Sequence, residues 1–187
     1  MMKWNVWLDD YFERFTPAFD ASVRPKLLAF HDIAKAVQQR GAKLILAGNG
    51  ASASISSHGA VDFTKQAKVR AVDFNEPNLI TAFSNDYGYE NWMAAAVRAY
   101  SDPGDVLVLI SVSGASPNVL KAAEQGKALN LPIVTFSGKS NDNPLSKLGS
   151  VNFHMPSHAY NVVEAVHMLW LTTVIDMVVG KAEYSVT

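Results

Sequence analysis

Two rhythms divide the chain. From residue 3 to 38 the apolar positions recur at helical spacing, with Trp4, Trp7, Leu8, Tyr11, Phe12 and Phe15 as the large members. Pro17 and Pro25 break this run into separate helical pieces. So many aromatics on a leading helix exceed what a small domain usually hides. Either they pack on the chain's own core or they cover a neighbouring subunit.

From residue 43 short apolar runs alternate with stretches of helical length. "KLILAG", "KVRAVDF", "LITAFSN", "DVLVLISVSG", "LPIVTFSG" and "SVNFHM" read as strands. Segments near 52–66, 87–100, 116–129 and 160–179 read as helices. Continuously apolar strands alternating with helices predict a parallel sheet covered on both faces. No linker, repeat or low-complexity segment interrupts the pattern. The expectation is one doubly wound domain over 1–187, with N-terminal helices over 1–40 and an α/β core over 41–187.

Composition narrows the function classes. At 187 residues the chain can bury a sizeable core without a disulfide or metal. Hydrophobic residues are 49% and charged residues 18%, a globular balance. A net charge of −1 gives no footprint for nucleic acid. The absence of Cys removes thiol nucleophiles and Cys-ligated zinc, and suits a reducing, cytoplasmic setting. The start "MMKWNVWLDDYFERF" has no clean apolar segment of the signal-peptide kind. The longest apolar stretch, 162–179, is broken by Glu164, His167 and Asp176, so no membrane partner is expected.

In a doubly wound sheet the ligand sits at the carboxyl ends of the strands, where helix N-termini favour anions. Two strand-to-helix joints carry suitable loops: "GNGASAS" at 48–54 and "SVSGASPN" at 111–118. Each combines Gly, which lets backbone N–H groups approach closely, with hydroxyls that donate to phosphate oxygens. Neither is a dinucleotide fingerprint or a P-loop, because the third Gly of one and the Lys of the other are missing. No nucleotide cofactor is therefore expected, and a small-molecule phosphate monoester suits the loops better. A single such loop would be explained as a tight turn capped by Ser; two at equivalent strand ends argue for a ligand.

"AGNGASASISSH", "SNDYGYE" at 84–90 and "PGDVLVLISVSGASPNVLKA" at 103–122 closely resemble the sugar isomerase (SIS) domain family, within it the phosphoheptose isomerase branch. The resemblance extends over essentially the whole chain, including the terminal "VVEAVHMLWLTTVID" helix. It implies a three-layer α/β fold with a five-stranded, mainly parallel sheet of flavodoxin-like type. It implies a homotetramer with active sites between subunits. It also implies an aldose–ketose isomerisation of sedoheptulose 7-phosphate through an enediol, which needs a base, an acid and a hold on the phosphate. Carried over by position, Ser111, Ser113 and Ser116 bind phosphate, joined by Ser52 and loop N–H groups including that of Gly50. Asn49 and Asp86 contact sugar hydroxyls. The family's Ser-Thr-Ser reads Ser-Val-Ser here, so Val112 is expected to cost the cradle one donor.

The family's metal and acid/base set is His and Glu four apart on the first helix of the core, then Gln and His eight apart on the last. These spacings put each pair on one helix face. Here His58 matches the first position, Asp62 stands at the Glu, Glu164 at the Gln, and Thr172 at the second His. His167, three residues after Glu164, reads as a core or interface histidine; His154 and His158 read as surface-loop residues. Two pictures follow for His58, Asp62 and Glu164. In one they hold a divalent metal such as Zn²⁺, or Asp62 and Glu164 work metal-free as base and acid. In the other the chain is a non-catalytic SIS module that binds a phosphosugar or a protein, like the family branch that associates with the DnaA replication initiator. That branch lacks a carboxylate at the position of Asp62, which favours an enzyme here.

Overall fold

The computed structural model describes residues 3–185, so residues 1, 2, 186 and 187 of the expected domain lie outside the description. The chain runs α1 (Trp4–Glu13), two 3₁₀ turns (Thr16–Phe19 and Ala21–Val23), α2 (Arg24–Gln39), β1 (Leu44–Gly48), α3 (Ala51–Lys65) and β2 (Ala71–Asp73). It continues through α4 (Pro77–Tyr87), α5 (Trp92–Tyr100), β3 (Val106–Ser111), α6 (Pro117–Ala128), β4 (Ile133–Gly138), β5 (Val151–Met155) and α7 (Tyr160–Val179).

The five strands form one sheet in the order β2-β1-β3-β4-β5, every pair parallel. The expected five-stranded, three-layer α/β fold is what the chain adopts. β1, β3 and β4 are buried throughout, as their unbroken apolar runs require of strands covered on both faces. Alternate residues then serve opposite layers. Leu44, Leu46, Val106, Val108 and Ile110 pack with Phe30, Phe63 and the buried face of α7. Ile45, Ala47, Leu107 and Leu109 pack with Trp92, Met93, Ala96 and Val119 from α5 and α6.

One strand expectation is overturned. "LITAFSN" is not a strand but lies inside α4. Ile80 and Thr81 give it strand character, yet Pro77 stands in the first turn and the Glu76 carboxylate accepts from Leu79 N–H at 2.8 Å, which fixes a helix start. The last helix has the expected bounds: α7 runs for 20 residues and reaches a mean hydropathy of 1.7, enough by length and composition for a membrane span. Its buried Val162, Val166, Trp170, Leu171 and Val174 instead make it a core helix against the sheet.

The N-terminal aromatics divide between the two roles the sequence left open. Tyr11 and Phe15 pack on the core, whereas no residue of α1 is buried and Trp4 and Phe12 are 63% and 65% exposed. Trp170 Nε1–H donates to Ala18 O at 2.9 Å and ties the turn after α1 to α7.

Candidate active site

The two Ser-bearing loops lie side by side because β1 and β3 are neighbours, paired from Leu44 opposite Val106 to Gly48 opposite Ile110. At the first loop Gly48 has no room for a side chain: a Cβ there would stand 2.6 Å from Ser52 Cβ and 2.7 Å from Ile110 O. Gly50 caps α3 at φ +57°, ψ −126°, a conformation open to glycine. Ser52 is buried directly beneath.

At the second loop Ser111 ends β3 and is buried, with its Oγ 3.2 Å from Ser116 Oγ and 3.5 Å from Ser113 Oγ. Ala115 N–H donates to Ser113 Oγ at 3.2 Å. Three hydroxyls thus converge at the N-terminus of α6, where first-turn N–H groups have no preceding helix carbonyl. Val112 corrects an expectation. Its side chain is buried in the core with Val108 and Ile110, so the missing Thr hydroxyl takes no donor from the cradle.

The loops are joined by side chains. Asn49 Nδ2–H donates to Asn118 Oδ1 at 2.9 Å, and Asn118 Nδ2–H donates to Asn49 Oδ1 at 2.8 Å. Tyr89 Oη–H adds a third bond to Asn49 Oδ1 at 3.3 Å. Asn49 therefore has its oxygen engaged and one Nδ2–H left for a ligand. Asp86 is exposed at the end of α4 and accepts from Asn85 Nδ2 at 2.9 Å. Asn143, which the sequence does not single out, braces the second loop from below. It is buried, donates to Ser137 Oγ at 3.0 Å and Ser140 O at 2.8 Å, and fills the space beside Gly114.

His58 and Asp62 meet as their spacing predicts: Nε2 stands 3.1 Å from Oδ2, with the side chains 54% and 25% exposed. Glu164 does not join them. Both α3 and α7 return antiparallel to the strands, and Gly59 packs on Leu171, since a Cβ at Gly59 would lie 2.6 Å from Leu171 Cδ2. Glu164 is seven residues before Leu171 and Asp62 three after Gly59, so the two are offset by about 15 Å along the helices. Glu164 is level with Ser52 and the cradle instead. Among the described residues it makes no hydrogen bond or ion pair, and no three His, Asp or Glu side chains form a group able to hold a metal. Thr172 Oγ1–H turns back to its own helix, onto Met168 O at 3.0 Å.

Three further histidines lie apart from this pair. His167 is fully buried, with Nε2 3.0 Å from Ser137 O, and burial pushes its pKa down to about 4. His154 lies on β5 rather than in a loop; burial and then Lys26 hold its pKa down. His158 lines an open groove with Asp10, Glu13 and Arg14.

The family model for the SIS domain matches residues 10–138. A phosphoheptose isomerase of Fusobacterium nucleatum subsp. nucleatum is 35% identical over 142 residues, 73% of each chain. Another, of Thermodesulfovibrio yellowstonii, is 31% identical over 173 residues, covering 83% of this chain and 85% of the relative. The solved structure of a phosphoheptose isomerase from Neisseria gonorrhoeae superposes with a TM-score of 0.84 at 23% identity, over 94% of this chain and 99% of that one. With its parallel five-stranded sheet and its paired Ser loops, the chain belongs to the SIS domain family.

Proposed function

We propose that the chain is a phosphosugar isomerase that interconverts a ketose and an aldose through an enediol, with sedoheptulose 7-phosphate and D-glycero-D-manno-heptose 7-phosphate as the pair. The observation that carries this reading is the joining of two hydroxyl-bearing loops into one cradle by Asn49 and Asn118. The curated relatives, which are phosphoheptose isomerases, support it.

The chemistry divides among the residues by position. Ser111, Ser113, Ser116 and Ser52, with the first-turn N–H groups of α6, receive the phosphate. Asn49 offers its free Nδ2–H to an acceptor oxygen of the sugar, and Asp86 accepts from a hydroxyl. The Asp62 carboxylate lifts the proton from the carbon beside the carbonyl and returns it to the adjacent one. His58, bonded to Asp62, handles the proton on the oxygen. Glu164, level with the cradle, accepts from a sugar hydroxyl there.

Because Asp62 stands far below the cradle of its own chain, a complete site needs a second copy. We assign the assembly as a cytoplasmic homotetramer with sites between subunits, helices 1–40 contributing the contacts. The exposed aromatic face of α1 and the 59% exposed Val61, next to Asp62, support this. The non-catalytic reading raised by Thr172 is not favoured, since the His58–Asp62 pair is present and the curated relatives are isomerases. Purified protein incubated with sedoheptulose 7-phosphate, with and without added zinc, should yield the aldose. No product under either condition would overturn the reading.

A further inference from the structure

Among the described residues three that are not glycine adopt positive φ: Lys68, Asn130 and Lys139. The first two lie in helix-to-strand turns at the far end of the sheet. Lys139, at φ +56°, follows β4 directly at the carboxyl edge, beside the Ser cradle. A lysine is strained there where glycine or asparagine would be at ease, which points to its side chain as the reason for its place.

The backbone fixes its location. β3 and β4 pair as far as Ser111 opposite Ser137, and beyond them Gly138 N–H donates to Val112 O at 2.9 Å. β4 is therefore attached to the cradle loop up to the residue before Lys139. Lys139 N–H donates to Ser157 O at 3.0 Å and pins the other side. The ammonium rests on Tyr160, with Nζ 3.1 Å from Oη and 4.6 Å from the ring centroid. Among the described residues no carboxylate pairs with it. A cation parked on an exposed, neutral phenol keeps its charge available to an incoming anion.

The cradle needs such a charge. Its hydroxyls and N–H groups are neutral dipoles, whereas a phosphate monoester carries close to two negative charges at neutral pH. The gap between neighbouring strands is about 4.8 Å, which the four-carbon stem of a lysine spans. We propose that Lys139 is the cationic member of the phosphate site, moving from Tyr160 onto the phosphate of the bound sugar and so selecting phosphorylated sugars over neutral ones. This rests on the isomerase reading above and adds a residue to its substrate site.

The test is titration calorimetry of the full chain with inorganic phosphate and with sedoheptulose 7-phosphate, at low and high salt. Lys139→Met should bind both roughly tenfold more weakly and with less salt dependence, while Lys139→Arg keeps most of the affinity. Lys139→Gly separates charge from backbone: it should melt at or above the wild-type temperature and still lose the affinity. In turnover the Met variant should show a raised KM with kcat within about twofold, because the ammonium meets the phosphate and not the reacting carbons. Met and Gly variants that bind both ligands like wild type would overturn the assignment of Lys139 alone. Wild-type protein that binds neither ligand would overturn the isomerase reading with it.

Discussion

Asn49 and Asn118 exchange their amide hydrogen bonds, each Nδ2–H donating to the other's Oδ1, across the seam between the β1 and β3 loops. Neither loop alone is a phosphate site of the P-loop kind. The amide pair makes them one, because it holds the Ser52 side of the cradle at a set distance from the Ser111 side. Asn118 is buried, so water does not replace a lost partner there.

Asn118→Asp tests this seam. It keeps the shape but sets a carboxylate oxygen against Asn49 Oδ1, where a donor is needed. The variant should lose about 2 kcal/mol of stability and about tenfold in sugar-phosphate affinity. Thermal melts and calorimetry measure the two separately. A variant that binds like wild type would show that the loops hold their spacing without the pair.

Gly114→Ala should fail from two causes at once. Its φ is +60°, and an added Cβ would overlap Asn143 Oδ1. A loss of about 2–4 kcal/mol and weakened phosphate binding are expected. Combining it with Asn143→Ala removes the two nearest atoms, Oδ1 and Cγ, but leaves Asn143 Cβ 2.8 Å away and the φ strain, so the double variant should lose less than the sum of the singles. Denaturant melts of the three proteins check this, and simple additivity would argue against the contact.

His167 ties stability to pH. Burial depresses its pKa to about 4, with the Ser137 carbonyl opposing and His154 assisting. The unfolded chain binds this proton near pH 6.5 and the folded chain does not until far lower, so stability is present above 6.5 and is lost as pH falls toward 4. Between pH 7.5 and 5 the expected loss from this group is about 2 kcal/mol. The facing His154, whose pKa is also lowered, by burial and then by Lys26, adds in the same direction. Urea melts of wild type and His167→Gln across this range should diverge by that amount; parallel curves would remove His167 as the cause.

Much of this was legible in the residue pattern, for physical reasons. Strands buried on both faces cannot hide a change of register, so "KLILAG" and "DVLVLI" announce themselves, and the Gly and Ser that follow mark the ligand edge. "LITAFSN" misled because β-branched residues outweighed a quieter signal, the Glu76–Pro77 start of α4. Val112 misled because position in a motif does not say which way a side chain faces. The site was legible only within each loop or helix: His58 and Asp62 meet because four residues make one helical turn. Glu164 is level with the cradle of its own chain because the Gly59–Leu171 contact sets the level of two helices, a tertiary fact with no local trace. Asn118, Tyr89 and Asn143 escaped for the same reason, since reciprocal pairing across a seam has no spacing in sequence.

The aromatic face of α1 bears directly on whether the site is shared. Trp4 and Trp7 meet edge to face at 5.8 Å and Trp7 stacks on Tyr11 at 5.0 Å, so the face is ordered, yet Trp4 and Phe12 remain largely exposed. Substituting exposed residues of a monomer changes stability by no more than about 0.5 kcal/mol. If α1 instead covers a second copy, Trp4→Glu with Phe12→Glu places charge in a buried apolar contact and drives the subunits apart. Light scattering should then show wild type at several times the 20.3 kDa chain mass and the double variant at a lower mass. Turnover should fall with the mass, although His58, Asp62 and the Ser cradle are untouched. A wild-type monomer that still isomerises the sugar phosphate would show that Asp62 works without a neighbour's cradle, and would remove the shared site.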